Sequence, residues 1–238
     1  MTKALVVIPT YNERENLESI VSRLRAQSTV DILIVDDNSP DGTGGLADSL
    51  AATVDGVNAV NRPHKQGLGP AYIAGFEWAF ERGYELVAEM DADGSHDPAV
   101  VPVLIEIAAT TGAELVIGSR WVRGGRIEGW SRIREAISRT GNTYARFALG
   151  SRVHDLTAGF RVIRTDTLRA LDLSSISSSG YCFQIEVAHR IEQSGGTIIE
   201  HPITFREREA GVSKMNVGIV VEALARITGW GIARLFRR

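Results

Sequence analysis

The stretch LVAEMDADGSHDP, residues 86–98, runs from an apolar segment straight into Asp91, Asp93 and Asp97. An apolar run that ends in carboxylates is the pattern of a buried parallel strand whose carboxyl end opens on a ligand crevice. Unpaired carboxylates repel one another, so such a cluster needs a cation, a hydrogen-bond network or solvent. Similar apolar runs flank it at ALVVI (4–8), DILIVD (31–36), VNAVN (57–61), ELVAEM (85–90) and AELVIG (113–118). Helical patterns separate them near 13–27, 43–53, 68–83 and 97–111. Strand–helix alternation predicts an α/β domain built on a mostly parallel, doubly wound sheet with right-handed crossovers. The polar segments PTYNE, DDNSPDG and DADGSHD all fall at carboxyl ends of strands.

The second half changes rhythm. WVRGGRIEGW (121–130) reads as a Gly-rich loop, and residues 132–149 as a basic helix. TAGFRVI (157–163) reads as a strand, YCFQIEVAHRIEQSGG (181–196) as a helix closed by glycines, and TIIEHPITFR (197–206) as one strand. A helix over about 215–236 ends the chain. No internal repeat or linker divides the 238 residues, a length that suits a single domain. The expected organisation is one domain with a site half at 1–119, a second half at 120–214 and an amphipathic C-terminal helix at 215–238.

The net charge of −3 hides an asymmetry: residues 1–119 carry a balance of −11, residues 120–238 one of +8. From Arg120 to Arg164 there are ten arginines, no lysine and three acids, Glu128, Glu135 and Asp155. A solvated basic face would account for a short charge run, but the guanidinium fork suits phosphate oxygens. An acidic half beside a basic one suggests a metal-dependent site next to a phosphate site. Nucleic acid is not among the expected partners. Cys182 is the only cysteine, which excludes an internal disulfide framework and a thiolate zinc site and fits a reducing cytoplasm. The N-terminus reads as a first strand rather than a signal peptide, and no apolar run reaches the roughly 20 residues of a membrane span.

Several chemistries are excluded by what the motifs lack. The first strand-to-helix turn, PTYNEREN, contains no glycine, against a dinucleotide-binding site. There is no P-loop and no GxSxG elbow, and Cys182 has no activating context. In IVDDNSPDGT, turn and cap chemistry explains Asn38, Ser39 and Asp41. Asp37 is expected to face the crevice beside Thr10, Tyr11 and Glu13, where it could accept a base N–H. Asp91 and Asp93, with oxygen-rich neighbours, suit Mg2+ or Mn2+.

Taken in order, VVIPTYNE, VDDNSPDGT, GLGPAYIAGF, EMDADGSHDP, GSRW, DLTAGFR and EREAGVSKM resemble the inverting glycosyltransferases of GT-A fold. Within these they are similar to the dolichol- and polyprenol-phosphate mannosyltransferases, of the actinobacterial polyprenol-monophosphomannose synthase type. The resemblance spans nearly the whole chain. It implies that Pro9, Tyr11, Glu13, Val35 and Asp37 hold the nucleoside of a sugar nucleotide. It implies that Asp91, Ala92 and Asp93 meet the metal, the donor phosphates and the sugar. Arg120, Arg134 and Ser138 match groups at the acceptor phosphate and, with Asp93, the catalytic set; Arg208 and Lys214 match groups at the transferred sugar. Ser95 is a third candidate metal ligand, standing where many relatives carry a Gln. Serine is shorter, so water or His96 is expected to fill that place. The processive QxxRW signature is absent, since Gln184 is followed by IEVA.

The implied reaction moves mannose from GDP-mannose to a polyprenyl monophosphate with inversion, feeding glycolipid biosynthesis. A UDP-glucose-dependent glucosyltransferase and a non-catalytic nucleotide-sugar-binding protein are the alternatives. A lipid acceptor implies work at the cytoplasmic membrane surface, on its inner face, with room for a membrane-anchoring partner protein. In the last helix Val217, Val221, Leu224, Ile227, Gly231 and Leu235 form a stripe flanked by Arg226, Arg234, Arg237 and Arg238, with Trp230 available for an interface. Packing on the core and docking on a membrane surface both remain open for it.

Overall fold

The computed structural model describes residues 2–176, 178, 180–208 and 217–236; Lys214, Arg237 and Arg238 lie outside them. A seven-stranded sheet runs in the order β3-β2-β1-β4-β7-β5-β8. Its strands are β1 (Ala4–Thr10), β2 (Asp31–Asp36), β3 (Val57–Asn61), β4 (Leu86–Glu89), β5 (Leu115–Ser119), β7 (Arg161–Arg164) and β8 (Ile198–Pro202). All neighbours pair in parallel except β7, which is antiparallel to both β4 and β5. The expected mostly parallel sheet is present, and helices α1 (Arg14–Gln27), α2 (Thr43–Thr53), α3 (Leu68–Glu81) and α4 (Val101–Thr111) connect its first strands.

The apolar runs are continuous because both faces are covered. Leu5, Val7, Leu33 and Val35 pack with Tyr72, Phe76 and Phe183 on one side. Val6, Ile8, Ile32 and Ile34 pack with Leu17, Ile20, Val21 and Leu24 of α1 on the other. At Gly75 a Cβ would stand 2.5 Å from Val7 Cγ1, so only glycine lets α3 lie this close to β1. From β1 the chain winds outward to β2 and β3 and then returns to β4 on the other side of β1. The crevice at that reversal, between the loops leaving β1 and β4, is where a doubly wound sheet holds ligands.

The second half departs from expectation in three places. TAGFRVI contributes only its last three residues to the sheet, as part of Arg161–Arg164, while Thr157, Ala158 and Gly159 before them line the site. TIIEHPITFR is two strands: Pro202 ends β8, and β9 (Thr204–Arg206) pairs instead with β6 (Arg126–Glu128), a strand inside the presumed loop. A short helix α6 (Thr165–Ala170) follows β7. The basic helix is α5 (Arg132–Leu149), capped by Ser131, whose Oγ accepts the Arg134 N–H at 3.3 Å. α5 buries Asn142, Ala145 and Leu149. α7 (Tyr181–Gln193) and α8 (Val217–Leu235) complete the fold.

α8 turns buried Ile227, with Ala223 and Trp230, toward the core and leaves Leu224 and Ile232 exposed. Of Val217, Val221 and Leu235 only the backbone is described. Among the described residues no helix is long and apolar enough to cross a membrane.

Candidate active site

Two adjoining regions form at the carboxyl edge of the sheet. In the first, the turns after β1 and β2 lock together. Asn12 and Asn38 both take left-handed backbone, each at φ 56°, a conformation asparagine tolerates. Asp36 accepts Thr10 Oγ1 at 2.9 Å and Ser39 N and Oγ at 2.8 and 2.6 Å. Ser39 Oγ in turn accepts the Asn12 N–H at 3.0 Å, and buried Glu13 donates its N–H to Thr43 Oγ1 at 3.1 Å.

Asp37 does not face an open crevice. It is buried, paired with Arg62, and its Oδ2 accepts the N–H groups of Gln66 and Gly67, each at 3.1 Å. Its carboxylate therefore folds the 62–67 segment back over the β1–β2 turns, because a buried charge needs partners. In that segment Lys65 lies over the Tyr11 ring, Nζ 3.8 Å from its centroid. Pro9 is partly exposed, whereas Val35 is fully buried in the core and offers no accessible surface to a nucleoside.

The second region is a narrow pocket with about 40 Å³ of free space. Asp91, Asp93 and His96 line it together with Arg120, Arg134 and Arg208, and Trp130, Phe205 and Thr157–Gly159 complete its wall. The structure thus joins the acidic strand end to the arginines that the sequence placed far downstream. Asp93 Oδ1 accepts the Ser95 N–H at 3.1 Å, and its Oδ2 stands 3.6 Å from Arg208 Nη2. Arg134 donates to Glu207 at 2.9 Å and stacks over Trp130 with its guanidinium carbon 4.0 Å from the ring centroid.

Arg120 is committed to a partner. It grips the fully buried Asp155 through Nε at 2.7 Å and Nη2 at 2.6 Å, while its backbone N–H reaches the same carboxylate at 2.9 Å. A fork–carboxylate pair of this kind fixes orientation more than it supplies free charge. Asp155 is a site residue the sequence reading missed, although it was one of only three acids in the arginine-rich stretch.

His96 lines the pocket beside Asp91 and Asp93. Its Nδ1 accepts the Asp91 N–H at 3.2 Å, so the proton of the neutral ring sits on Nε2. The ring stacks on Phe160 at 4.8 Å, and burial pulls its pKa down to about 4. The Ser95 hydroxyl is buried without a partner, but Ser95 is not part of the pocket wall. Ala92 is buried. Ser138 lies one turn beyond Arg134 on α5, also outside the wall. Among the described residues no three His, Cys, Asp or Glu side chains cluster tightly enough to enclose a metal alone. Two hard carboxylates in one pocket nevertheless suit a divalent cation that takes its remaining oxygens from phosphate and water.

Behind the pocket, Arg161 is wholly buried opposite Glu89 and donates to the carbonyls of Leu156, Ala158 and Gln184, each at 2.6 Å. Burial lowers its pKa and raises that of Glu89 to about 7. These bonds hold the turn that carries Thr157 to Gly159 into the wall. Trp130 Nε1 is buried and unpartnered, a donor left available beside the pocket. No sequence motif had singled it out.

Residues 5–172 match the model of the family described as Glycosyl transferase family 2. The chain is 52% identical over 232 residues to a polyprenol monophosphomannose synthase of Mycolicibacterium smegmatis, covering 97% of this chain and 87% of the relative. It is likewise 52% identical to an undecaprenyl-phosphate mannosyltransferase of Micrococcus luteus, over 97% of this chain and 95% of the relative. Among solved structures it is similar to a glucosyl-3-phosphoglycerate synthase from Mycobacterium tuberculosis, solved with Mn2+, UDP-glucose and phosphoglyceric acid. That match has a TM-score of 0.70 at 21% identity and covers 95% of this chain and 80% of the other. A mannosyltransferase from Pyrobaculum calidifontis, solved with GDP-mannose and Mn2+, has a TM-score of 0.61 at 16% identity and covers 99% of this chain and 64% of that one. With its strand order, its acidic strand end and these relatives together, the chain belongs to glycosyl transferase family 2 and is a glycosyltransferase of GT-A fold.

Proposed function

We propose that this enzyme transfers mannose from GDP-mannose to a polyprenyl monophosphate, giving polyprenyl β-D-mannosyl phosphate and GDP. The observation that carries the reading is the pocket itself, where two aspartates and three arginines line one narrow cleft. The names of the two relatives at 52% identity support the mannosyl and polyprenyl parts.

Two anions must meet for this chemistry: a sugar nucleotide diphosphate and a lipid phosphate. Asp91 and Asp93 would hold Mg2+ or Mn2+, which when bound neutralises the departing diphosphate. The β1–β2 turns with Tyr11, Glu13 and the 62–67 segment would seat the nucleoside. Arg134, held by Glu207 and Trp130, would draw the acceptor phosphate. Arg120, fixed by Asp155, would set the geometry of that wall. Arg208 would exchange its contact with Asp93 for donor phosphate oxygens, alongside Lys214. A phosphate monoester is already mostly ionised at neutral pH, with its second pKa near ~6. The acceptor therefore needs positioning and charge stabilisation more than a general base. His96 fits this, since its one free lone pair is spent on the Asp91 N–H. A single displacement would invert the anomeric centre. The reaction would take place at the inner face of the membrane, alone or with a membrane-anchoring partner.

The test is a donor panel: purified protein with GDP-mannose or UDP-glucose, a short polyprenyl phosphate, and Mg2+, Mn2+ or EDTA. Lipid-linked mannose formed only from GDP-mannose and only with metal is expected. Preference for UDP-glucose would make it a glucosyltransferase, and no product from either donor would leave a binding protein.

A further inference from the structure

Eight large hydrophobic side chains are exposed among the described residues, and seven of them belong to α5, to α8 or to Phe236 just beyond it. On α5, Ile133 is 74%, Ile137 64% and Phe147 86% exposed, and Tyr144 lies on the same side. The spacing from 133 through 137, 140 and 144 to 147 keeps them within an arc of about 80°. Asn142, Ala145 and Leu149 occupy the opposite, buried face. α5 therefore has two apolar faces, one spent on the core and one left exposed among the described residues. Soluble surfaces seldom gather such patches without a use.

We propose that α5 is the helix by which this protein docks on an anionic lipid bilayer, its Ile133–Phe147 stripe entering the headgroup boundary. Charge complementarity selects this occupant. Arg132 and Arg139 border the stripe on one side and Arg134 on the other, while Arg146 and Glu135, the helix's single acid, lie farther round the helix. A second copy on the same face would bring arginine borders together, which a two-fold contact cannot avoid. The patch continues over α8 across a groove of about 820 Å³ between Phe147 and Ile232, with Tyr144 Oη bonded to Thr228 Oγ1 at 2.6 Å.

The inference deepens the proposed function and rests on its lipid acceptor for a purpose. Arg134 sits in the first turn of the docking helix and also lines the catalytic pocket. Seating α5 in the interface puts that guanidinium at the depth of lipid phosphates, so the acceptor need not leave the bilayer. The docking itself requires neither donor nor acceptor.

The full chain is sedimented with vesicles of phosphatidylcholine alone or mixed equally with phosphatidylglycerol, at low and high salt. Wild type is expected to bind the anionic vesicles and to lose binding with salt. The double variant Ile137→Glu/Phe147→Glu should bind at least about tenfold more weakly, with an unchanged circular dichroism spectrum. Val103→Glu, at an exposed hydrophobic away from α5 and α8, should bind as wild type. Equal binding by the double variant, equal loss in Val103→Glu, or wild type left in the supernatant overturns the proposal. So does a wild-type dimer that the double variant dissolves while vesicle binding persists. Vesicle binding without any lipid mannosylation would sink the proposed function and leave the docking intact.

Discussion

Replacing Asp155 by Ala should damage the fold and the pocket together. Asp155 is fully buried and takes three hydrogen bonds from Arg120, the longest at 2.9 Å. Removing it leaves a guanidinium that is itself almost fully buried with Thr157 Oγ1, at 2.8 Å, as a neutral partner. Breaking a buried pair by deleting one member costs about 3–5 kcal/mol, because the survivor's desolvation is no longer offset. Against a total stability of roughly 5–15 kcal/mol this is a large share. For a chain of this size it lowers the melting temperature by about 6–20 °C. Urea unfolding followed by circular dichroism measures the loss. Arg120→Ala/Asp155→Ala should be less destabilised than the sum of the two single variants, since the second deletion acts on a pair already broken. A loss below about 1 kcal/mol in Asp155→Ala, or additive single effects, would refute the view of Arg120 as a buried, clamped group.

Asp93→Ala should abolish transfer while its melting temperature stays within a few degrees of wild type; turnover that persists, or full activity in EDTA, removes the metal role. Arg134→Ala should raise the acceptor KM far more than it weakens GDP binding by calorimetry, because the half-exposed Arg134–Glu207 pair is not needed to seat the nucleotide. Equal losses would make Arg134 a donor residue. Cys182 is buried, and burial raises its thiol pKa to about 11. It should resist iodoacetamide at pH 8 in the native protein and react once unfolded; rapid native labelling would contradict this.

The parallel half of the sheet was legible because its strands are buried on both faces. Leu5 and Val7 serve one side and Val6 and Ile8 the other, so the runs are unbroken. The acidic strand end at Asp91 and Asp93 was legible for the same reason, since the run stops where the crevice begins. Antiparallel β7 was not, because RVIR carries no signal for direction and takes its place from β4 and β5. Nor was the split of TIIEHPITFR: the β6–β9 pairing joins residues 78 apart, and only Pro202 hints at the break. Within the site, residue type pointed to Arg120 and Arg134 but not to what holds them. Asp155, Glu207 and Trp130 become partners only through tertiary folding. Asp37 illustrates the converse, a residue correctly placed at a strand end whose carboxylate the 62–67 segment has already engaged.

The central claim is a single inverting transfer of mannose onto a lipid phosphate. Its most direct measurement is the anomeric configuration, by NMR, of the lipid product formed from GDP-mannose and a short polyprenyl phosphate, with released GDP quantified in parallel. A β-mannosyl phosphate formed in equal amount with GDP is predicted. An α-linked product, or GDP released without any mannosylated lipid, would contradict the account.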